Sequence, residues 1–281
     1  MFGRASPGVT AESLLRDIDS LGVARGDLVM VHASLRKIGL GRAAFGDGGA
    51  ETLLDALDAA VGPEGTLLMV LGCETAQDEA NRRPEKDRAE ILAAAEPFDP
   101  REAAVLPEVG LLAEAFRLRA GTVVTDNPGG RFGARGRLAA ALLEDSPWDD
   151  YYGPRSPLDR LCRGGKVLRM GADPETVTAL HFAEYLADLP GKRRVRRHYR
   201  VTSVEGPALV AVECLDDEFG IVDWPGEDYF GLIVRDYLAG GRARTGRVGN
   251  ASSELIDAAD MVRFGVGWME TNLMAPAQPD P

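Results

Sequence analysis

The sequence has 281 residues, of which 45% are hydrophobic and 27% charged, and its formal net charge at pH 7 is -12. This composition is typical of a globular protein with a sizeable core. The acidic excess argues against a nucleic-acid partner, because the phosphates would be repelled. A membrane span needs roughly 20 consecutive apolar residues, and no stretch of the chain approaches that length.

The N-terminal residues lack the long apolar core of a signal peptide, so we expect a cytoplasmic protein. We also expect residues 1–281 to form a single domain. The negative charge has two interpretations, since it either provides solubility or steers a cationic substrate toward an acidic cleft. The three cysteines, Cys73, Cys162 and Cys214, show no CxxC or histidine-rich spacing. They predict neither a disulfide framework nor a metal site.

Helices and strands alternate at the start of the chain. Apolar residues at helical spacing predict two amphipathic helices, and continuous apolar runs predict two buried strands. In chain order these elements are a helix over 10–22, a strand over 28–35, a helix over 49–62 and a strand over 66–71. This alternation is typical of an α/β fold.

Residues 73–108 lose this pattern and form a long, polar insertion interrupted by prolines. An insertion of this length in a compact fold is usually functional or disordered. The pattern then returns with a helix over 109–121, a strand over 122–126, a glycine-rich loop over 127–136 and a helix over 137–145.

The last part of the chain changes character. After a proline-rich turn, the sequence predicts a helix over 158–165, a strand over 166–171, a helix from 177, antiparallel strands over 193–202 and 207–215, and helices over 228–241 and 252–273. We therefore predict a mixed central sheet flanked by helices, with an antiparallel part within about 195–270.

The predicted helix that begins at residue 177 contains one of only three histidines in the chain. A spacing of three places His181 and Glu184 on one helical face, and Thr178 lies on the same stripe. A carboxylate beside an imidazole fixes its tautomer and stabilises its protonated form, as a general base requires. The same spacing also occurs in surface ion pairs and in core histidines with a satisfied partner.

Two turns could bind an anionic group. "VHASLRKIGLG" (31–41) leads from a buried strand into a turn with Ser34, Arg36 and exposed amides, which suits a phosphate or is a plain strand-to-helix turn. "YYGPRSPLDRL" (151–161) places Ser156 before a helix N-terminus, where it attracts an anion or simply caps the helix.

Other catalytic patterns are missing from the sequence. It contains no Walker loop, no G-x-S-x-G elbow and no H-E-x-x-H metal helix. The glycines of residues 127–136 do not follow G-x-G-x-x-G, so they are weak support for a dinucleotide site. Acidic side chains gather at 74–79, 96–100 and 212–223, which indicates either solvated surfaces or binding of a polycation.

Several motifs in fixed order resemble the aminoglycoside 3-N-acetyltransferase family, antibiotic N-acetyltransferases unrelated in fold to the GNAT enzymes. The resemblance extends from about residue 12 to about residue 270. It implies the antibiotic N-acetyltransferase fold, acetyl-CoA as donor, an aminoglycoside amine as acceptor, and no metal. The matching segments are "VHASLRKIG", "GPEGTLLMV", "PFDP", "YGPRSPLDRL", "GGKVLRMGA", "TVTALHFAEYLADLPGKRR" and "SSELIDAADMVRFG".

The resemblance also implies roles for single residues. His181 resembles the catalytic histidine of the family and Glu184 its partner, and we expect Thr178 or backbone amides to stabilise the oxyanion. The expected donor-binding residues are His32, Ser34, Leu35, Arg36, Tyr152 and Ser156, although packing within its strand is the default role of His32. The expected acceptor-binding residues are Glu74, Asp99, Asp216 and Glu218, on two acidic segments facing each other beside His181.

One position departs from the family pattern, since many members have His-Pro where this chain has Asn127-Pro128. Donor contacts or specificity can differ there. Two other functions remain open at this point: acetylation of a different small amine, such as an aminophosphonate intermediate, and a catalytically silent CoA- or drug-binding relative.

Overall fold

The structure is a computed structural model that describes residues 8–41, 48–72 and 76–274. Its helices are α1 (Ala11–Leu21), α2 (Leu35–Ile38), α3 (Gly48–Val61), α4 (Ala76–Asn81), α5 (Arg88–Ala94), α6 (Leu111–Leu118), α7 (Ala139–Leu143), α8 (Pro157–Leu161), α9 (Ala179–Leu186), α10 (Tyr229–Ala239) and α11 (Ala258–Asn272), with short 3-10 turns at Glu85–Asp87 and Pro174–Thr176. Its strands are β1 (Leu28–Ala33), β2 (Thr66–Val70), β3 (Val123–Val124), β4 (Phe132–Gly136), β5 (Lys166–Met170), β6 (Arg194–Ser203), β7 (Gly206–Leu215), β8 (Arg244–Val248) and β9 (Ala251–Asp257).

A seven-stranded sheet in the order β3-β4-β2-β1-β5-β9-β8 forms the centre of the molecule. Strand β1 runs parallel to β2 and β5, and the other pairs are antiparallel. One hydrophobic cluster covers the face that carries α9, α10 and α11, and a second covers the face that carries α1, α3 and α6. The predicted mixed sheet flanked by helices is therefore confirmed, and β6 and β7 form the predicted antiparallel pair.

Two sequence predictions are wrong. The segment predicted as a glycine-rich loop contains β4, an inner strand whose Phe132 and Ala134 are fully buried. Its flanking glycines concealed it, and one of them is required, because a Cβ on Gly136 would lie 2.2 Å from the carbonyl oxygen of Gly65. The segment predicted as one terminal helix begins with β9, and α11 starts only after Asp257, whose side chain caps it by accepting from the Asp260 amide at 2.8 Å.

The polar insertion is partly helical and is fastened to β6. Gln77 donates a side-chain hydrogen bond to the Arg200 carbonyl at 3.0 Å, and Asn81 bonds both the amide and the carbonyl of His198. The side-chain amides thus satisfy backbone groups of a strand more than a hundred residues away, which no local sequence pattern reveals. Cys73 and Glu74 lie outside the described residues.

Within the described ranges, none of the helices has both the length and the apolar character that crossing a membrane would take.

Candidate active site

The site is built around His181 on α9. Its Nδ1 lies 2.7 Å from Oε2 of Glu184, as the three-residue spacing predicts, and the side chains are 19% and 2% exposed. A neutral imidazole that donates its Nδ1 proton to this carboxylate presents Nε2 as its free acceptor. The buried carboxylate thus orients the ring and stabilises a proton taken up at Nε2.

Tyr229, on α10, adds a third group that the sequence analysis missed. Its buried hydroxyl donates a short hydrogen bond to Oε1 of Glu184, the oxygen that His181 does not use. Burial and the Glu184 carboxylate both raise the pKa of Tyr229, so the hydroxyl stays protonated and remains a donor. Because the tyrosine lies on a different helix, no sequence spacing connects it to His181.

Aromatic rings hold the imidazole on two sides. Tyr152 stacks on it with a centroid separation of 4.8 Å and an interplanar angle of 12°. Phe230 meets the ring edge-on, also at 4.8 Å. Both aromatic side chains are buried, so the ring plane of His181 is fixed, while the His181 side chain itself remains partly exposed.

Nearby carboxylates govern the protonation of His181. Burial alone would lower the pKa of the imidazole, but the charge and hydrogen bond of Glu184 outweigh burial and raise it, with smaller contributions from Asp217 and Asp228. A raised pKa makes the imidazole a stronger proton acceptor, at the cost of a smaller deprotonated fraction at low pH.

His181 opens into a cavity of about 280 Å³, here called the acid cavity. No lysine or arginine is among the described residues that line it. Its other walls include Phe219, Val222 and Trp224. Six carboxylates line it: Glu175, Glu184, Asp217, Glu218, Glu227 and Asp228.

The carboxylates of the acid cavity differ in their partners. Asp217 lies 2.6 Å from Arg197, Glu218 lies 2.7 Å from Arg82, and Glu227 pairs with Arg235. In the described part of the chain, Glu175 and Asp228 form no ion pair. These two carboxylates of the acid cavity therefore have no cationic partner among the described residues.

A second cavity of about 340 Å³, here called the tyrosine cavity, lies on the other side of Asp217 and Glu218. Tyr152 lines it, and so do Asp78 and Glu108 from the polar insertion. The two irregular segments that the sequence analysis placed opposite each other thus meet across this cavity, next to the ring that stacks on His181.

The turn after β1 forms a third cavity of about 370 Å³, here called the turn cavity, at the carboxyl ends of β1 and β5. Ser34, Leu35 and Arg36 line one side of it. Ser34 caps α2 by accepting from the Lys37 amide at 3.4 Å. Ligands of α/β sheets bind at this edge, and the turn offers Arg36 to an anionic group, while Lys37 pairs with Asp173.

Five of the predicted site residues lie away from the walls of these cavities. His32 is buried within β1, where burial and the nearby charge of Arg169 lower its pKa to about 4. Ser156 is fully buried and caps α8, accepting from the Asp159 amide at 3.3 Å.

The other three are Thr178, Asp99 and Asp216. Thr178 precedes α9 and its hydroxyl donates to the Thr176 carbonyl at 3.3 Å. Asp99 accepts from the Arg101 amide at 2.8 Å. Asp216 is 3% exposed and points inward, where it accepts from the Glu218 and Phe219 amides, so it fastens the turn that carries Glu218.

A family model described as aminoglycoside 3-N-acetyltransferase matches residues 30–270. The chain belongs to this family. Aminoglycoside N(3)-acetyltransferase VIII of Streptomyces fradiae is 40% identical over 283 residues, which cover 97% of this chain and 96% of that protein. The crystal structure of aminoglycoside acetyltransferase AAC(3)-Xa has a TM-score of 0.88 and 39% identity, with 95% and 94% of the two chains covered. A structure of AAC-IIIb with CoASH has a TM-score of 0.86 and 38% identity, with 97% of this chain and 100% of that chain covered.

Lys192, which follows α9, bonds the C-terminal end of that helix. Lys192 donates to the carbonyls of Glu184, Tyr185 and Ala187 at 2.8 to 3.1 Å. A cation at a helix C-terminus satisfies carbonyls that have no partner within the helix. Lys192 thus stabilises the helix that carries His181 and Glu184.

Asn127, the position that departs from the family pattern, is a buried structural residue. Its side-chain nitrogen donates to the Trp148 carbonyl at 2.9 Å, and its oxygen accepts from the Gly129 amide at 2.9 Å. These bonds connect the loop before β4 to the segment that leads into Tyr152. The asparagine therefore supports the wall of the tyrosine cavity without contacting His181 in the described structure.

Replacing Arg36 by alanine should raise the KM for acetyl-CoA severalfold and leave the KM for the amine nearly unchanged. The side chain lines the turn cavity, where it can pair with a phosphate. Steady-state kinetics with each substrate varied in turn measures both constants. If only the KM for the amine rose, the turn would belong to the acceptor-binding site.

Proposed function

We propose that this chain transfers the acetyl group of acetyl-CoA to the 3-amino group of an aminoglycoside antibiotic and so confers resistance. The observation that carries the proposal is an oriented His181 opening into a cavity lined by six carboxylates. An aminoglycoside carries several ammonium groups, which such a cavity attracts. The names of the relatives, aminoglycoside N(3)-acetyltransferases, support the same acceptor position.

The reaction is a direct transfer without an acyl-enzyme. Nε2 of His181 takes a proton from the acceptor amine as the amine nitrogen attacks the thioester carbonyl carbon. The carbon–sulfur bond then breaks, and the CoA thiolate leaves and takes up the proton that the His181 imidazolium holds, which restores the base. Glu184 stabilises the imidazolium that forms, and Tyr229 holds Glu184 in place. General base catalysis of this kind contributes about 10²- to 10⁴-fold.

The donor occupies the turn cavity in this proposal. Ser34, Leu35 and Arg36 contact the phosphate-bearing part of CoA. Tyr152 stacks on His181, so it lies next to the position that the thioester must occupy for the reaction. Thr178 is the proposed oxyanion donor; its hydroxyl must leave the Thr176 carbonyl to serve, and backbone amides at the start of α9 are the alternative. Because acetyl-CoA is an intracellular metabolite, we place the reaction in the cytoplasm.

The acceptor occupies the acid cavity. Glu175 and Asp228, which have no ion pair among the described residues, are the proposed primary contacts for ammonium groups, with Asp217 and Glu218 next to them. Of the acceptor residues expected from the sequence that the structure describes, only Glu218 lines this cavity. Asp99 and Asp216 are not proposed as acceptor contacts, since neither side chain lines the acid cavity.

Replacing Asp228 by asparagine is expected to raise the aminoglycoside KM by about fivefold. The substitution removes a charge worth roughly 1 kcal/mol to a nearby ammonium in partly solvated surroundings. The side chain also caps α10 by accepting from the Phe230 amide at 2.7 Å, and asparagine caps as well as aspartate does. The aminoglycoside KM is measured at low and at high salt.

The matched control is Asp257→Asn, which makes the same change at the cap of α11. It should leave the aminoglycoside KM unaltered. The effect of Asp228→Asn should shrink as salt screens the charge. An aminoglycoside KM that changes equally in both variants, or that is indifferent to salt, would remove Asp228 from the acceptor site.

The experiment that tests the function is a thiol-release assay with acetyl-CoA and a panel of aminoglycosides and simple amines. Thiol release with aminoglycosides, with acetylation located at the 3-amino group by NMR, is the expected result. Release only with another amine would change the acceptor class. Binding of acetyl-CoA with no release for any amine would show a catalytically silent protein.

A further inference from the structure

A short segment, residues 171–176, separates the turn cavity from the acid cavity, and we call it the partition. Ala172, Asp173 and Thr176 line the turn cavity, whereas Glu175 lines the acid cavity. The partition follows β5 and leads into α9, the helix of His181. Its position therefore affects both cavities and the start of the catalytic helix.

A row of three buried polar side chains lies beneath the partition. His32, Arg169 and Glu254 are direct neighbours across β1, β5 and β9, and each is less than 9% exposed. Nη2 of Arg169 lies 2.7 Å from Oε2 of Glu254. Because His32 is neutral at ordinary pH, Glu254 supplies the compensating charge for this buried guanidinium.

The arginine also reaches the partition itself. Its Nη1 donates a short hydrogen bond to the Ala172 carbonyl, while Lys37 pairs with Asp173 from the solvent side. On the far side, Glu175 approaches α10, since its Oε2 would lie 3.9 Å from a Cβ on Gly231. The partition is thus fixed from below by Arg169, whose own position depends on Glu254.

We propose that Arg169 and Glu254 are positioning residues for catalysis, because their buried pair fixes the partition between the donor and acceptor sites. This inference rests on the proposed function for the identity of the two substrates. A buried ion pair is a poor source of stability, since apolar residues of similar size often stabilise a fold equally well. The arrangement is better explained by the hydrogen bond that it directs at Ala172.

The test replaces both members, Arg169→Met with Glu254→Leu, so that no buried charge is left unpaired. Thermal unfolding should remain close to that of the parent protein. The KM for acetyl-CoA and the KM for the aminoglycoside should both rise about tenfold, with a smaller fall in kcat, since a displaced binding wall weakens both complexes. Calorimetry with CoA alone should show the same loss of affinity without any acceptor present.

The matched control is the pair at the opposite end of β5, where Nζ of Lys166 lies 2.6 Å from Oδ2 of Asp27. Lys166→Met with Asp27→Asn removes an ion pair of the same strand far from the partition. We expect both KM values and the CoA affinity to be unchanged. Equal changes in the two double variants would show a general loss of structure and overturn the inference.

Arg169→Lys provides a second variant if the double replacement does not fold. Lysine keeps the charge but lacks the planar guanidinium group that pairs with Glu254 and at the same time bonds the Ala172 carbonyl, so the same two KM values should rise. Unchanged KM values and CoA affinity in a folded variant would overturn the inference. Failure of the proposed function is distinct, because the parent protein would then release no thiol with aminoglycosides, while the CoA calorimetry would still test the partition.

Discussion

Replacing His181 by alanine is expected to lower kcat at least about a hundredfold, the lower end of what a lost general base costs. Nε2 is the nitrogen of this imidazole that does not bond Glu184, and Glu184, Tyr152 and Phe230 fix the ring. An ammonium group cannot attack a thioester until it loses a proton, so the variant retains binding and loses the proton acceptor. Thiol release under saturating substrates measures the effect.

The control is His198→Ala, which removes a histidine on the β6–β7 pair, away from the walls of the acid cavity. It should keep near-parent turnover. CoA affinity and thermal unfolding should be close to parent values in both variants. Near-parent turnover in a folded His181→Ala protein would assign the base elsewhere. His32 is a poor substitute, since it is buried within its strand.

Replacing Glu184 by glutamine is expected to lower kcat about tenfold and to shift the acid limb of the kcat/KM profile to lower pH. The carboxylate raises the pKa of His181 against the opposing effect of burial, and the base works only when deprotonated. Removing the charge lowers that pKa, so the active form persists to lower pH, but the imidazolium in the transition state loses its stabilisation. A pH–rate profile of kcat/KM for the amine measures both effects.

Tyr229→Phe is the companion variant, because it removes the hydrogen bond to Glu184 and keeps the carboxylate. The loss of turnover should be smaller than in Glu184→Gln. An acid limb that stays in place in Glu184→Gln would mean that a group other than His181 controls it.

The sequence predicted the central elements because their signals are local. Continuous apolar runs identified β1, β2 and β5, and the three-residue spacing placed Glu184 beside His181. The same kind of signal identified the turn after β1, since it combines Ser34 with cations at the end of a buried strand. These features depend on residues within one or two turns of each other.

What the sequence did not predict depends on distant partners. Tyr229 reaches Glu184 from another helix. Gln77 and Asn81 bond backbone groups of β6, more than a hundred residues further along the sequence. The acidic residues were recognised as a group, but which of them face the cavity depends on the turn at 216–219, where Asp216 bonds backbone and Glu218 points outward. Composition cannot distinguish those two neighbours.

The charge of the acid cavity also affects the release of the product. Acetylation turns an ammonium into a neutral amide, so the acceptor leaves with one positive charge fewer than it had on arrival. Coulomb attraction scales with that charge, so the carboxylates proposed to contact the acceptor, including Glu175 and Asp228, would hold the product less strongly than the substrate. Under this proposal, the reaction itself weakens the complex and favours release of the acetylated antibiotic.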